Sequence, residues 1–305
     1  MKVGVNLINF GPSAKPENLR RWATLTEDLG YHLLMTSDHV AMTPDVQARF
    51  PAPFYEPLST LGWLAGVTRN IAIGATVIIL PYRNPLEIAR AFANIDQLSG
   101  GRCILGVGVG WAQQEFEALG IPFNKRGAIS SEYLAVIKQA WGQEFSSFDG
   151  EFIRFKDVQN TPFPVQKPHP PIWVGGKSPG ALRRAVRLGD AWHPLRVTVQ
   201  WMRDTGLPQL AEIADREGKA MPEICPRIML RLTGEKVNED QRTAGEGSLD
   251  QIRADLHGLQ DLGCSHVLLD TYTDDIDATG RPEEAWRMYE TMAEKALDLD
   301  AESVR

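Results

Sequence analysis

Short apolar runs alternate with amphipathic stretches along the whole chain. Val3–Ile8, His32–Thr36, Ile71–Leu80, Cys103–Gly108, Pro171–Val174, Asp190–His193, Ile224–Leu232 and Val267–Leu269 read as buried strands. The stretches between them carry helical spacing and helix punctuation. Leu19, Trp22, Leu25 and Leu29 share one face of Pro16–Leu29, and Gly30 stops it. Asn84-Pro85 caps and starts Pro85–Leu98, and Ser178-Pro179 does the same for a helix ending near Leu188. Ser248 and Gln251 form a capping box for a helix to Leu262. Pro57–Val67, Ser130–Trp141, Trp201–Glu217 (broken near Pro208) and Pro282–Leu297 complete the helices. Eight strands, each followed by a helix, predict a (β/α)8 TIM barrel of the α/β class. An open doubly wound sheet is the alternative. The chain is expected to be one domain, 1–305, with excursions at 40–56 after strand 2 and at 143–170 between helix 4 and strand 5. Asp149-Gly150 marks a hairpin turn in the second.

Ser99–Trp111 is the most distinctive stretch. A turn, Ser99-Gly100-Gly101, leads into the apolar run Cys103–Leu105, and Gly106, Gly108 and Gly110 follow at alternate positions before Trp111. Alternate glycines strip the side chains from one face of a strand. Either a flat ligand or a neighbouring element then lies against the backbone.

Composition narrows the classes. A 43% hydrophobic and 23% charged chain is an ordinary globular protein, and a net charge of −7 argues against nucleic acid or an anionic membrane as partner. Three scattered cysteines with no C-x-x-C fit a reducing cytosol. The first residues enter a strand pattern without a signal-peptide region, and no apolar run approaches membrane-spanning length, so a cytoplasmic location is expected.

In such a barrel the chemistry sits at the C-terminal strand ends. Those ends bring together Asn6 to Phe10, Asp38-His39, Thr76 to Leu80, Gly106 to Trp111, Gly175 to Ser178, His193, Arg231 and Asp270. His39 is the candidate general acid or base, and a structural histidine is the competing reading. Gly175-Gly176-Lys177-Ser178 before a helix start reads as a phosphate cradle or as a plain turn and cap. No metal site is expected. Asp38 and His39 point to opposite sides of an extended chain, and His169, His193, His257 and His266 show no ligand spacing. Few catalytic groups beside a phosphate cradle suit a bound cofactor that does the redox work.

These residues resemble the luciferase-like monooxygenase family, most closely its coenzyme F420-dependent branch. The resemblance rests on S-D-H at 37–39, Y-E-P-L at 55–58, G-A-T-V-I-I-L-P-Y-R-N-P at 74–85 and L-S-G-G-R-C-I-L-G-V-G-V-G-W at 98–111. E-F-E-A-L-G-I-P-F at 115–123, P-H-P-P-I-W-V-G-G at 168–176 and G-D-A-W-H-P at 189–194 extend it. It implies a TIM barrel with a flavin or deazaflavin ring at the C-terminal mouth, close to Asp38 and His39. The phosphate would lie by Gly175, Gly176, Lys177 and Ser178, with Gly108, Gly110 and Trp111 bordering the cofactor. A non-proline cis peptide at Thr76–Val77 would bulge toward the ring. Ser37-Asp38-His39 stands where many flavin monooxygenases of the family carry Glu-His-His. Sugar-phosphate dehydrogenases of the F420 branch carry a glutamate just after the glycine run. Here that position is Trp111, and the nearest glutamate is Glu115, which speaks against a sugar phosphate.

The resulting expectation is an oxidoreductase moving a hydride between F420 and a small organic substrate. His39 relays the proton, and Asp38 holds the cofactor or tunes His39. Phe50, Phe54 and Tyr55, with His193, are expected to cover the substrate. An FMN-dependent monooxygenase fed by a separate reductase is the alternative, and a non-catalytic flavin-binding protein is a third reading. A homodimer is compatible with each.

Overall fold

The computed structural model describes residues 1–305. Its barrel strands are β1 (Lys2–Leu7), β2 (Leu33–Thr36), β3 (Ala72–Ala75), β4 (Ile78–Ile79) and β5 (Cys103–Gly108). An antiparallel hairpin follows, β6 (Phe145–Asp149) and β7 (Arg154–Gln159), and is the excursion that Asp149-Gly150 marked. Next come β8 (Ile172–Gly175), β9 (Ala191–His193), β10 (Glu223–Ile224), β11 (Arg227–Met229), the short pair β12 (Arg231–Leu232) and β13 (Glu246–Gly247), and β14 (His266–Asp270).

All barrel pairings are parallel, in the order β10-β9-β8-β5-β3-β2-β1-β14-β11. Both ends of that order belong to one stretch of chain. β10 pairs with β9, while β11, two residues further on, pairs with β14. Cys225 N–H donates to Trp192 O and Arg227 N–H to Pro194 O, so the turn at Pro226 carries the seam and the ring closes. The α/β TIM barrel read from the sequence is therefore the fold, with two strands subdivided. Ile71–Leu80 is interrupted at Thr76-Val77, where the peptide bond is cis as the resemblance implied. Ile224–Leu232 is interrupted at Cys225-Pro226, whose proline has no N–H to give a ladder.

Helix bounds differ modestly from those read off the pattern. The helix expected from Ser130 starts at Arg126, and the break near Pro208 is a π turn, Met202–Gly206, before the helix Leu207–Glu217. The excursion 40–56 holds a single helical turn, Pro44–Gln47. Between sheet and helices lies a cluster of 54 buried apolar residues running from Val3 to Leu299.

Side chains alternate between the helix layer and the barrel interior. The interior fills with Leu33, Met35, Ile104, Trp173, Cys225 and Leu268, a separate apolar plug. The plug divides the barrel into two mouths. Next along β8, β9 and β14, two residues beyond Trp173, Ala191 and Leu268, stand Gly175, His193 and Asp270 at the C-terminal mouth.

The alternate glycines make room for neighbouring strands. A Cβ on Gly106 would lie 1.9 Å from Ala75 O, and one on Gly108 would lie 2.5 Å from Val77 Cγ2. Of the two readings of these glycines, close packing holds at both positions. Gly106→Ala is expected to lose about 1–3 kcal/mol of stability or more, since backbone has to move. Gly66→Ala, in a helix where a Cβ meets nothing within 4 Å, should gain about 0.5–1 kcal/mol. Urea unfolding of the two variants measures this contrast.

Candidate active site

The end of β2 is fixed before any catalytic group is considered. Asn9 Nδ2 donates to Ser37 O at 2.9 Å and Tyr55 O at 2.7 Å, and Ser37 N–H donates to Asn9 Oδ1 at 3.0 Å. One buried amide thus ties the first strand end, the Ser-Asp-His turn and the end of the 40–56 excursion together.

Asp38 and His39 then diverge, as their adjacency dictates. Asp38 accepts from Ile79 N–H at 2.9 Å and forms a two-pronged pair with Arg83, NH1 to Oδ2 at 2.7 Å and NH2 to Oδ1 at 2.8 Å. Arg83 also reaches Glu56 Oε1 at 3.0 Å. The Asp38 carboxylate is spent on these partners and does not touch His39, so it is not the group that tunes the imidazole.

That group is Glu115. Its Oε2 lies 2.6 Å from His39 Nδ1, and its Oε1 accepts from Val40 N–H at 2.6 Å and Ala41 N–H at 2.9 Å. Glu115 is fully buried. Burial pushes its carboxyl up, but the His39 ring and the two N–H groups hold it below the ordinary glutamate value. An ionised carboxylate accepts at both oxygens, so Nδ1 of His39 carries the proton donated to it. Nε2 is left as the ring nitrogen free to act on the cavity that His39 lines.

The cavity has a volume of about 430 Å³ at the C-terminal mouth. That is within the usual range for small-molecule sites. Its floor is a polar chain. His193 Nε2 lies 2.8 Å from Thr76 Oγ1, Arg227 NH1 donates to Thr76 O at 2.7 Å, and Arg227 NH2 donates to Asp270 Oδ2 at 2.6 Å. Asn6 Nδ2 donates to the other Asp270 oxygen at 2.8 Å, while Asn6 Oδ1 stays buried without a partner. Val77 projects above this floor. It rests on bare backbone, since a Cβ on Gly108 or Gly175 would strike its methyl groups at 2.5 and 3.2 Å.

Phe50, Trp111 and Tyr272 line one wall. Phe50 and Trp111 stand with ring centroids 5.1 and 5.7 Å from the His39 ring. Arg49 lies over Trp111 at 5.1 Å, and the Tyr272 hydroxyl donates to Arg49 O. Only Phe50 of the three expected lid rings faces the cavity. Phe54 stacks on Phe10 behind it, 5.4 Å between centroids, and Tyr55 packs on the main core. His193 is no lid residue either, because it is buried in the floor.

At the opposite wall, Gly175 and Gly176 line the cavity. Gly176 has φ +110°, which favours glycine, and Ser178 caps the helix Pro179–Leu188. Lys177 Nζ donates to Arg196 O at 3.2 Å and lies 5.3 Å over the Trp201 ring, away from the cradle. The mouth arginine of the seventh barrel strand is Arg227. Arg231, expected there, follows the end of β11 and is exposed, paired with Glu246.

Of the residues singled out in the sequence, the fold gathers Asp38, His39, Phe50, Thr76, Val77, Gly108, Gly110, Trp111, Gly175, Gly176 and His193 around one cavity. Glu115, Arg83, Arg227 and Asp270 were not assigned roles there. Glu115 and Asp270 were visible as acids beyond a strand end. The partners of Arg83 and Arg227 are set by contacts across the mouth that no local pattern records.

Comparison with known proteins identifies the family. Residues 1–294 match the family model described as luciferase-like monooxygenase, and the chain belongs to that family. It is 35% identical over 155 residues to an FMNH(2)-dependent dimethylsulfone monooxygenase of Pseudomonas putida, covering 48% of this chain and 42% of that one. It is 32% identical over 223 residues to an F420-dependent glucose-6-phosphate dehydrogenase of Kineococcus radiotolerans, covering 72% of this chain and 64% of that one. In both, the matched stretch spans less than two thirds of the relative. Among solved structures, a monooxygenase from Streptomyces bottropensis superposes with a TM-score of 0.75 at 21% identity, over 96% of this chain and 98% of that one. An F420-dependent secondary alcohol dehydrogenase in complex with an F420-acetone adduct gives 0.74 at 16%, over 91% and 95%. These two superpositions bear on the fold. No helix is long and apolar enough to cross a membrane.

The floor predicts an acid-sensitive barrel. Burial drives the His193 pKa down to about 4, and the bond to Cys225 O opposes this only in part. The unfolded chain binds the proton first, so the stability from neutral His193 is complete above pH of about 6.5 and falls progressively as pH drops toward about 4. On the order of 3 kcal/mol is at stake for a 2.5-unit shift. Denaturant midpoints between pH 7 and 4 measure the slope, and His193→Gln should reduce it, leaving the share of His266, whose pKa burial also drives down to about 4.

Proposed function

We propose that this luciferase-like oxidoreductase uses the deazaflavin coenzyme F420 to transfer a hydride to or from a small organic substrate. The observation that carries the reading is the His39–Glu115 pair. Its free Nε2 stands at the edge of a partly apolar cavity. The residues fit a flat, phosphate-bearing group. Val77 provides a raised apolar contact, Gly175 and Gly176 allow close backbone approach, and the start of the helix Pro179–Leu188 favours negative charge.

When bound, F420 supplies the hydride chemistry, and the chain supplies binding, orientation and a proton. Glu115 holds the imidazole in one tautomer, so Nε2 takes the proton from, or returns it to, the substrate oxygen or nitrogen as hydride moves. General acid–base help of this kind is worth about 10²–10⁴ in rate. Phe50, Trp111 and Tyr272 keep water from that exchange and favour an apolar substrate. Thr76 and His193 keep the floor in register.

The F420 choice rests on the Ser37-Asp38-His39 turn and the F420-dependent relative. An FMN-dependent monooxygenase with a separate reductase is the second reading, favoured by the 35% identical FMNH(2)-dependent relative. Fluorescence titration with F420 and with FMN, oxidised and reduced, separates the two. Micromolar or tighter F420 binding with weak FMN binding is expected, and tight FMN binding without F420 binding contradicts the choice. Ser178→Asp keeps an N-cap for the helix Pro179–Leu188 but sets a carboxylate where the phosphate would lie, so it should weaken cofactor affinity by about tenfold or more while sparing the fold. His39→Ala should keep the affinity and slow turnover by about 10²–10⁴.

A further inference from the structure

The second mouth of the barrel, below the apolar plug, holds a cavity of about 500 Å³ that the oxidoreductase reading leaves unused. Trp173, Asp190, His169, Glu223 and His266 are among its walls. Alternation along the seam turns Glu223 and Cys225 to the same side of the sheet, and β14 begins beside them with Ser265-His266. Ser265 N–H donates to Ile224 O, which locks the two segments together.

The side chains of these four residues converge. Cys225 Sγ lies 3.7 Å from His266 Nδ1, and His266 Nδ1 lies 3.8 Å from Glu223 Oε2. Ser265 Oγ stands in front of all three, 2.8 Å from Glu223 Oε2, 3.0 Å from His266 Nδ1 and 3.3 Å from Cys225 Sγ. Cys225, His266 and Glu223 each place one ligand atom within 4.8 Å of the others. Donors at about 2.0–2.3 Å around a tetrahedral centre stand about 3.3–3.7 Å apart, so the Cys225–His266 and His266–Glu223 spacings already suit an ion, and turning the exposed Glu223 carboxylate and the Ser265 hydroxyl completes the set. Sulfur, imidazole nitrogen and carboxylate oxygen together select a borderline-soft divalent ion over magnesium or calcium. The seam explains why such a site would matter. Residues 223–225 and 265–266 join the two ends of the sheet order, so an ion held by both would clamp the closure of the ring.

We infer that Glu223, Cys225 and His266, with Ser265 Oγ as a neutral fourth donor, form a site for a divalent cation of the zinc or cobalt type at the mouth opposite the cofactor cavity. It lies at the lower face of the apolar plug, to which Cys225 belongs, and its occupancy is independent of F420 or FMN. Sequence spacing hid it, because Cys225 and His266 are brought together by barrel closure alone.

Cobalt(II) titration of the untagged full-length chain tests the site, since cobalt bound by thiolate gives a near-ultraviolet charge-transfer band. One equivalent per chain should produce the band. Cys225→Ser should remove it, and Cys103→Ser, in another strand, should retain it. Glu223→Gln and His266→Gln should each weaken affinity by about tenfold or more. Glu223 is exposed, so its variant keeps the fold and decides the matter even if Cys225→Ser misfolds. Absence of the band in the unaltered protein, its survival in a folded Cys225→Ser, or an unchanged affinity in Glu223→Gln would each overturn the site.

Discussion

The Glu115 carboxylate is the contact on which the geometry of the C-terminal mouth depends. It sits fully buried on the short helix Gln113–Ala118 and reaches across 76 residues of sequence to His39. The same group collects the N–H groups of Val40 and Ala41, the first two residues of the 40–56 excursion. A buried carboxylate is costly unless its lone pairs are met. Here three donors meet them, and all three come from the end of the second barrel strand. One acid therefore orients the imidazole, starts the excursion and ties both to the end of the glycine-rich strand.

The rest of the mouth follows a similar logic of polar groups paired across strands. Asn9 staples three segments, Arg83 neutralises Asp38, and Arg227 links Thr76 to Asp270. Apart from Arg49, which lies over Trp111, the charged groups lining the cavity are paired within the protein, and these pairs give the cavity a defined shape. Val77 settles onto bare backbone at Gly108 and Gly175, where a side chain would displace it. The glycines act on a ligand through Val77 and through the strands they let approach.

Much of this was legible in the sequence. Strand runs, helix caps and the two excursions gave the barrel, because burial on both faces of a parallel strand leaves an uninterrupted apolar run. Strand ends then located residues that line the mouth cavity, including His39 and Gly175. The roles of charged groups were not legible. Adjacency suggested that Asp38 serves His39, yet adjacent residues in extended chain face apart, and only the folded barrel shows Glu115 on the imidazole. Arg227 and Arg231 are indistinguishable by pattern. They are told apart in the fold, where Arg227 opens β11 just after Pro226 and Arg231 follows its end. The expected lid shrinks to Phe50 for a related reason, since aromatic content says nothing about which ring finds the core first.

The central claim is that Glu115 acts on the reaction only by holding His39. A double-mutant cycle of His39→Ala and Glu115→Gln, read as the single-turnover rate of cofactor oxidation or reduction with substrate, tests it most directly. The account predicts that each single variant is slow and that the double variant is no slower than His39→Ala alone. Additive losses in the double variant would mean that Glu115 contributes by another route and would contradict the account.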